Sequence, residues 1–351
     1  MVPVSAEPTI WHVAAEEADF TTIQAAVDAA SPGDTIYVLP GTYSRFSVGK
    51  PHLTIQALTG DGPVIVDGGG GCLRVSSDAT GMILDGFTLV NTEIGIELGP
   101  APDSIIRNCN FLGLICEGLI LTHSNVTIID NTITNAVGGA ALTVRGPSCR
   151  IINNTFVDNT NEWSTVYIRA GSQNATVTGN LFENCTGIRV LTLSEVSGCT
   201  VANNTFKNDI DPIRIRKTTA TDNTIVGNLF NGKGIQFESA GENNRIYQNN
   251  NVSGVTLVSG TAPATTHWNS TAPVTYTYDG VEHTGFVGNF WSSYAASDAD
   301  GDGILDTPHV LPDGLGTDHA PLAGAWENGV IASPAPEPKT WYVGEGGDYA
   351  A

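Results

Sequence analysis

Along the middle of the chain, apolar and polar residues alternate in short runs such as "STVYIRA" from Ser164, "IRVLTL" from Ile188 and "GIQFES" from Gly234, separated by Gly and Asn. Alternation with a period of two marks a strand with one buried face, and runs this short and this rich in β-branched residues do not make helices. The runs sit inside a larger repeat. An Asn followed two places later by a large apolar residue recurs as Asn131 with Ile133, Asn154 with Phe156, Asn180 with Phe182, Asn204 with Phe206 and Asn228 with Phe230. Asn110, a degenerate Asn250 with Val252, and Asp85-Gly86-Phe87 are placed in the same slot, and successive positions differ by 21 to 26 residues. That is one coil of a solenoid, and no crossover helix lies between the strands. The pattern predicts an all-β protein, a right-handed parallel β-helix whose coils lie about 4.8 Å apart so that equivalent side chains stack. The recurring Asn then has two uses, tolerating a left-handed corner and passing its amide to the next Asn, while the Phe or Ile two places on points into the core.

A solenoid has open ends with unpaired strand edges, which must be covered. Thr21-x-x-Gln24 reads as a capping box, Ile23, Ala26, Val27 and Ala30 form one apolar stripe, and Gly33 ends the segment, so a capping helix is expected over 21–31, across a first coil that begins at Thr35. After Val258 the repeat gives way to "VTYTYDGVEHT", alternating runs about Asp279-Gly280 that predict a closing hairpin. The expected organisation is a leader remnant or arbitrary start at 1–8, the β-helix at 9–258, a C-terminal hairpin with an Asp-rich calcium loop at 259–326, a Pro-rich linker at 327–339 containing "SPAPEP", and the start of a second repeat unit at 340–351. The last expectation rests on "TWYVGEGGDYAA", in which Trp341, Val343, Asp348 and Tyr349 match Trp11, Val13, Asp19 and Phe20 near the front.

Composition narrows the function classes. Forty Gly, two Met and a 15% share of charged residues suit short strands and tight turns, and a 41% hydrophobic share is enough for a core. A formal net charge of −21 argues against nucleic acid or an anionic membrane as partner and favours divalent cations. No stretch is long and apolar enough to span a bilayer, so no direct membrane insertion is expected in this segment, while "VSA" at Val4 to Ala6 has the look of a leader-cleavage site. Cys72, Cys109, Cys116, Cys149, Cys185 and Cys199 show no Cys-x-x-Cys spacing. Small buried thiols are the expectation, and disulfides stay open for an exported protein.

The segment "TIQAAVDAASPGDTIYVLPGTY" followed by Asn-rich coils resembles the NosD-like branch of the pectate-lyase-type β-helix superfamily. The stretch "HWNSTAPVTYTYDGVEHTGFVGNFWSSYAASDADGDGILDTPHVLPDGLGTDHAPL" is similar to the closing module of β-helix proteins on the surfaces of methanogenic archaea. The resemblance runs from Thr9 to Leu322 and implies an exported cell-envelope protein, often built of several such units; it implies no activity.

The sharpest chemical constellation is "DADGDGILD". Calcium takes about six to eight oxygens at roughly 2.3–2.6 Å. Asp298, Asp300, Asp302 and Asp306 supply carboxylates at loop positions 1, 3, 5 and 9, Ile304 a backbone carbonyl at position 7, and Gly303 the sharp turn. His309 stands where an EF-hand has Glu, so a structural calcium loop like those of dockerin or thrombospondin-type repeats is the better match, against a solvated acidic turn as the plain alternative. Asp318 is a further candidate ligand. For catalysis the best cluster is "DPIRIRK", with Asp211, Arg214, Arg216 and Lys217 near one coil. It is distantly similar to the Arg-Ile-Lys of polygalacturonases and the Asp-Pro-His-Asp of alginate epimerases, but lacks the paired Asp and Gly-His-Gly of the former and has Ile213-Arg214 in place of the latter's His-Asp. An exposed basic strip is the plain reading. Copper delivery, which the family name suggests, wants clustered Met, Cys and His. Met82 is the only internal Met, and His267, His283, His309 and His319 are scattered, each expected at the surface or in a turn. Sequons at Asn125, Asn153, Asn174, Asn184, Asn203, Asn251 and Asn269 permit glycans, with Asn269 the favoured one.

These readings combine into a non-catalytic, calcium-stabilised structural or adhesive module of the cell surface, of envelope or S-layer type, one unit of a tandem array, with other surface subunits or repeat units as partners. The alternative is a polysaccharide-binding or polysaccharide-cleaving domain that uses Asp211, Arg214 and Lys217.

Overall fold

A computed structural model describes residues 7–333 apart from 77, 100, 116 and 122–124. The expected leader remnant before residue 7, Cys116, the "SPAPEP" stretch after Ser333 and the expected start of a second unit at 340–351 lie outside the described residues. The chain coils into a right-handed parallel β-helix. One face is a twelve-stranded sheet that opens with Ile10–Val13, Thr35–Val38 and Thr54–Ala57, closes with Asn244–Tyr247 and Thr266–His267, and is parallel at each of these pairings. Two other faces are built the same way, and the long strands Val64–Val75 and Thr88–Leu98 turn the corner between them. The stack therefore starts one coil before Thr35 and ends one coil after Val258. Twelve rungs at about 4.8 Å make a rod of roughly 50–55 Å.

Register makes the core. Phe111, Ile133, Phe156, Phe182, Phe206 and Phe230 fall in one inward column. The last four rings lie 4.9, 4.9 and 5.3 Å apart and within 7° of parallel. Aromatic pairs favour offset or edge-on arrangements with centroids about 4.5–7 Å apart, and the rung spacing stacks these rings in parallel within that range while burying each of them.

The Asn column is a hydrogen-bonded ladder. Oδ1 of Asn154 accepts both the backbone N–H and the Nδ2 of Asn131, and the same pair of bonds, 2.8 to 3.0 Å long, links Asn154 to Asn180, Asn180 to Asn204, Asn204 to Asn228 and Asn228 to Asn249. Two expectations are corrected. The last slot holds Asn249 rather than Asn250, and the first holds Cys109 rather than Asn110, with Leu89 and not Phe87 in line with Phe111. The two uses assigned to one Asn are divided between neighbours. The left-handed corner falls on the residue before it, at Asp130, Asn153, Gly179, Asn203, Gly227 and Gln248, with φ between 52° and 69°. The ladder Asn can then keep its amide turned inward and wholly buried. The sequon residues Asn153 and Asn203 are thus corner residues.

Other corners repeat the device with substitutions. Ala136 donates its N–H to Asn159, whose Nδ2 points to the Cys185 thiol at 3.9 Å, and Cys185 donates its N–H to Asp209. Burial pushes the Asp209 carboxyl up to about 7, against the hydrogen bonds from Cys185 and Lys207, and its Oδ2 is buried without a partner. Cys109, Cys149, Cys185 and Cys199 are buried thiols raised by burial to about 12, 11, 12 and 11, and Cys72 is half-buried.

At the front, helix Ile23–Ala29 packs on Ile10–Val13, Thr35–Val38 and Ser47–Val48. Its cap is Thr22, not Thr21: the Thr22 hydroxyl accepts the Ala25 N–H at 3.2 Å, while Gln24 binds Asp28 and Ser47 instead of closing a capping box. The helix also stops at Ala29, before Gly33. At the far end Val274–Tyr278 and Val281–Gly285 form the antiparallel hairpin, with Asp279 and Gly280 at φ 49° and 79°, the two left-handed positions of a tight turn. Val330–Ile331 and Trp326–Glu327 extend this sheet, so 327–331 belong to the closing module rather than to a linker. Ile331 is drawn in because it fills a small core with Tyr276, Tyr278, Val287 and Leu322.

Asn180→Ala should cost at least about 2 kcal/mol in denaturant unfolding, because it takes the partner from the Asn154 N–H and the amide from the Ile151 carbonyl at about 1–3 kcal/mol each, while Asn154 Nδ2 keeps the Ile128 and Ile152 carbonyls; a loss below about 1 kcal/mol would mean that the ladder is redundant. Asp209→Asn should stabilise the protein at pH 8 by about 1–3 kcal/mol, since the amide can donate where the carboxylate cannot. A carboxyl raised from 3.8 to about 7 by folding loses stability as pH climbs through that window, so the gain should fade towards pH 4.

Candidate functional site

The closing module gathers three carboxylates. Asp298, Asp300 and Asp302 bring one oxygen each within 4.8 Å of one another. Asp298 accepts the N–H groups of Asp302 and Gly303 at 3.1 and 3.0 Å, and Asp302 accepts that of Ile304 at 2.7 Å, which winds the loop tightly. Gly303 is required twice over: its φ is 86°, and a Cβ there would lie 2.7 Å from the Tyr278 ring. Burial raises the Asp302 pKa, and the charges on Asp300 and Asp298 add to it against the Ile304 hydrogen bond. Ile304 bridges to Leu322, and the hydrogen bonds of that bridge come from Leu305 and Ala323. Asp306 stands apart from the triad, with its Oδ2 accepting the Ser297 hydroxyl and the Ala299 N–H, both at 2.9 Å, so that it ties the base of the loop.

Asp318, expected as a ligand, is elsewhere employed. It is fully buried. The Asn ladder runs on from Asn249 to Asn289, whose N–H and Nδ2 reach Asp318 Oδ2 at 2.9 and 3.3 Å; Trp291 Nε1 reaches the same oxygen at 2.8 Å, and Ala320 N–H reaches Oδ1 at 3.1 Å. Burial pushes this carboxyl up while those bonds pull it down. An Asn hands on a donor to the next rung, whereas an ionised carboxylate only accepts, so Asp318 ends the ladder without creating a new buried donor. His309 is half-buried, its ring lying 4.8 Å from that of Trp291 and 4.2 Å from that of Tyr294.

The second cluster lies on the outer face of the coils. Strand Ile213–Arg216 points Ile213 and Ile215 into the core and Arg214 and Arg216 outward. Arg214 is only 7% exposed, which corrects the picture of an open basic strip. Its guanidinium lies 3.6 Å from Asp211 and 3.3 Å from Glu238 and donates to Gln236. Arg216 meets Glu238 at 3.1 Å, and Asp211 also takes Lys233 at 3.5 Å and Gln236 at 2.6 Å. Lys217 follows the strand in a left-handed conformation, φ 76°, and is exposed. Beside the pairs a hollow of about 250 Å³ is lined by Trp163, Tyr167, Arg169, Arg189 and Arg216. Arg169 stacks over Tyr167 at 5.2 Å, and Trp163 is 44% exposed. Burial, then the charges on Arg214 and Arg216, lower the Arg189 pKa. Sequence reasoning passed over Trp163, Tyr167 and Arg189. Tyr167 was within reach, because it is an outward position of strand Ser164–Ile168; Trp163 and Arg189 lie just before their strands and carry no periodic signal.

The profile of a family described as "Periplasmic copper-binding protein (NosD)" matches residues 64–167 and 161–296, well over half of the chain. The chain belongs to the NosD family. Among solved structures, this NosD-family chain is similar to an alginate lyase from Paenibacillus sp. str. FPU-7, with 16% identity, 74% of this chain and 95% of that one covered, and a TM-score of 0.55. It is similar to XylC in complex with xylose, with 11% identity, 80% and 74% covered, and a TM-score of 0.52. A mutant of the PL6-family alginate lyase AlyGC matches at 14% identity, with 69% and 45% covered and a TM-score of 0.51. At these identities the likeness is one of fold. None of the curated proteins matches the sequence. The donor set does not fit the copper in the NosD description. Among the described residues the group of three or more ligating side chains is the Asp triad, which is all hard oxygen, while the buried thiols, Met82 and His309 are spent on packing. No helix among the described residues is long and apolar enough to cross a membrane.

Asp318→Asn should destabilise the protein by about 1–3 kcal/mol, because the amide nitrogen then faces the Ala320 N–H that the second carboxylate oxygen accepts. The loss should be equal in calcium and in chelator, measured by thermal melting; a loss seen only in calcium would return Asp318 to the metal.

Proposed function

We propose that this chain is an exported, non-catalytic structural module, a rigid rod whose closing end is fastened by calcium at Asp298, Asp300 and Asp302. The observation that carries this reading is the fate of the carboxylates on the outer face. A lyase or hydrolase needs an acid or base free to move a proton at the substrate. Asp211 and Glu238 are both held by guanidinium or ammonium groups, and Lys217 is exposed beyond the end of the strand. The family description as periplasmic supports export, and a stiff surface with paired charges suits contacts with other surface subunits or repeat units of the same kind. Calcium suits the triad because three mutually repelling carboxylates on a loop wound by Gly303 offer hard oxygen and little else.

A second reading, polysaccharide recognition, is favoured by one observation, the hollow of aromatic and guanidinium groups beside Trp163. The alginate lyase and the xylose complex share the fold and have carbohydrate ligands or substrates, which agrees with that reading without assigning a residue to it.

Two measurements test the leading reading. Chelation should lower the melting temperature and loosen residues 285–322 in hydrogen exchange while sparing the coils, and calcium at about a hundred times its Kd should restore about 2.7 kcal/mol; melting that ignores chelator removes the calcium assignment. Incubation with uronic-acid polymers should release no unsaturated or reducing ends, and release that Asp211→Asn abolishes would overturn the non-catalytic assignment.

A further inference from the structure

The guanidinium groups around the hollow are not balanced by the acids beside them. Asp211 and Glu238 are already shared among Arg214, Arg216 and Lys233. Arg189 sits beside Arg214 and Arg216, and the Nε atoms of all three are buried without a partner. On a chain of net charge −21, this is a place where cations are pressed together and left with spare donors. Like charges held this way favour a bound anion, and guanidinium forks favour a planar, two-oxygen one.

We propose that the hollow binds a single carboxylated pyranose, a uronic-acid residue of an acidic polysaccharide. This inference rests on the second reading above and gives it a ligand class. The exposed indole of Trp163 offers a flat apolar face to the C–H face of a sugar ring, and Tyr167, held by Arg169 at 5.2 Å, supplies a second aromatic wall. Arg189 and Arg216 line the same space and present the donors for the carboxylate. Its volume of about 250 Å³ lies below the roughly 300–1,000 Å³ of pockets that enclose drug-sized ligands, which suits one ring of a chain whose other units pass over the open rod face. The acidic remainder of the surface does not forbid this, since charges further off than about 8 Å are largely screened at physiological salt.

The test is calorimetric titration of the whole chain with a galacturonic acid tetrasaccharide, its methyl ester, a neutral galactose tetrasaccharide, a sulfated tetrasaccharide and a short oligonucleotide. The same titrations are run on Trp163→Ala and Arg189→Gln, each checked for an unaltered melting temperature. The free acid should bind at least tenfold more tightly than the ester or the neutral sugar, and each variant should lose at least tenfold. If the ester or neutral sugar binds as well as the acid and Trp163→Ala abolishes it, polysaccharide recognition stands and the carboxylate assignment falls. Tighter binding of the sulfated sugar or the oligonucleotide also overturns it, and no binding of any saccharide removes both. Trp163 is exposed enough for its variant to fold even if Arg189→Gln does not.

Discussion

The spacing of parallel strands governs this molecule. Backbone hydrogen bonds set each coil about 4.8 Å above the one before, and because the register holds through successive coils, whatever residue occupies a position meets its own equivalent above and below. Only side chains that tolerate that distance to a copy of themselves can be repeated. A Phe can, face to face, and so can an Asn, whose amide has a donor and an acceptor on opposite sides. A carboxylate or a guanidinium cannot. One outward row shows the relief: Thr192, Arg214 and Gln236 follow one another, with Glu238 two residues further along the last strand to take the neighbouring Arg216.

The same constraint gives the ladder a direction. Each Asn donates forward along the chain, from Asn131 to Asn289, so one end must supply an acceptor that asks for nothing in return. Asp318 does so from inside the closing module, together with the Trp291 indole. The module is thus joined to the rod by continuation of the rod's own hydrogen-bond column, with the Trp268 and Trp291 rings 5.8 Å apart beside it. Gly288 records how closely the two are fitted, for a Cβ there would fall 2.0 Å from the Asp318 carboxylate. Unlike a lid laid over exposed strand edges, this closure consumes the last unsatisfied donors of the column that it ends.

That explains what the sequence made legible. The coil period, the inward Phe column, the hairpin at Asp279-Gly280 and the grouping of the Asp triad are local or strictly periodic, and each was readable from spacing alone. The errors lie where two residues exchange roles within a step or two. Asn249 and Asn250, and Thr21 and Thr22, are adjacent identical residues, and only the direction in which the backbone turns decides which one faces inward; at Cys109 and Asn110 the inward place goes to the thiol and the Asn that the motif suggests is exposed. Asp318 was misread for another reason. An acid after an Asp-rich loop looks like a ligand until its partners are seen, and these, Asn289 and Trp291, lie 29 and 27 residues earlier and outside any repeat. Residues 327–331 were assigned to a linker because Pro follows them, although Val330-Ile331 carries the apolar pair that the closing sheet needs.

The hollow at Trp163 sits where periodicity is broken. The connection ahead of Ser164–Ile168 carries Trp163, and the stretch ahead of Leu191–Ser194 carries Arg189, so the two approach from non-repeating segments while Arg216 approaches from a strand. In a fold whose strands are committed to stacking, side chains that need not match a copy of themselves come from such segments. Catalysis on this face would need an acid released from the pairs that hold Asp211 and Glu238, and each release would strand a largely buried Arg214 with fewer partners. Binding needs no such release: an arriving anion adds a partner for Arg189 and leaves the existing pairs in place. The energetics of the paired strip therefore favour recognition over turnover at this position.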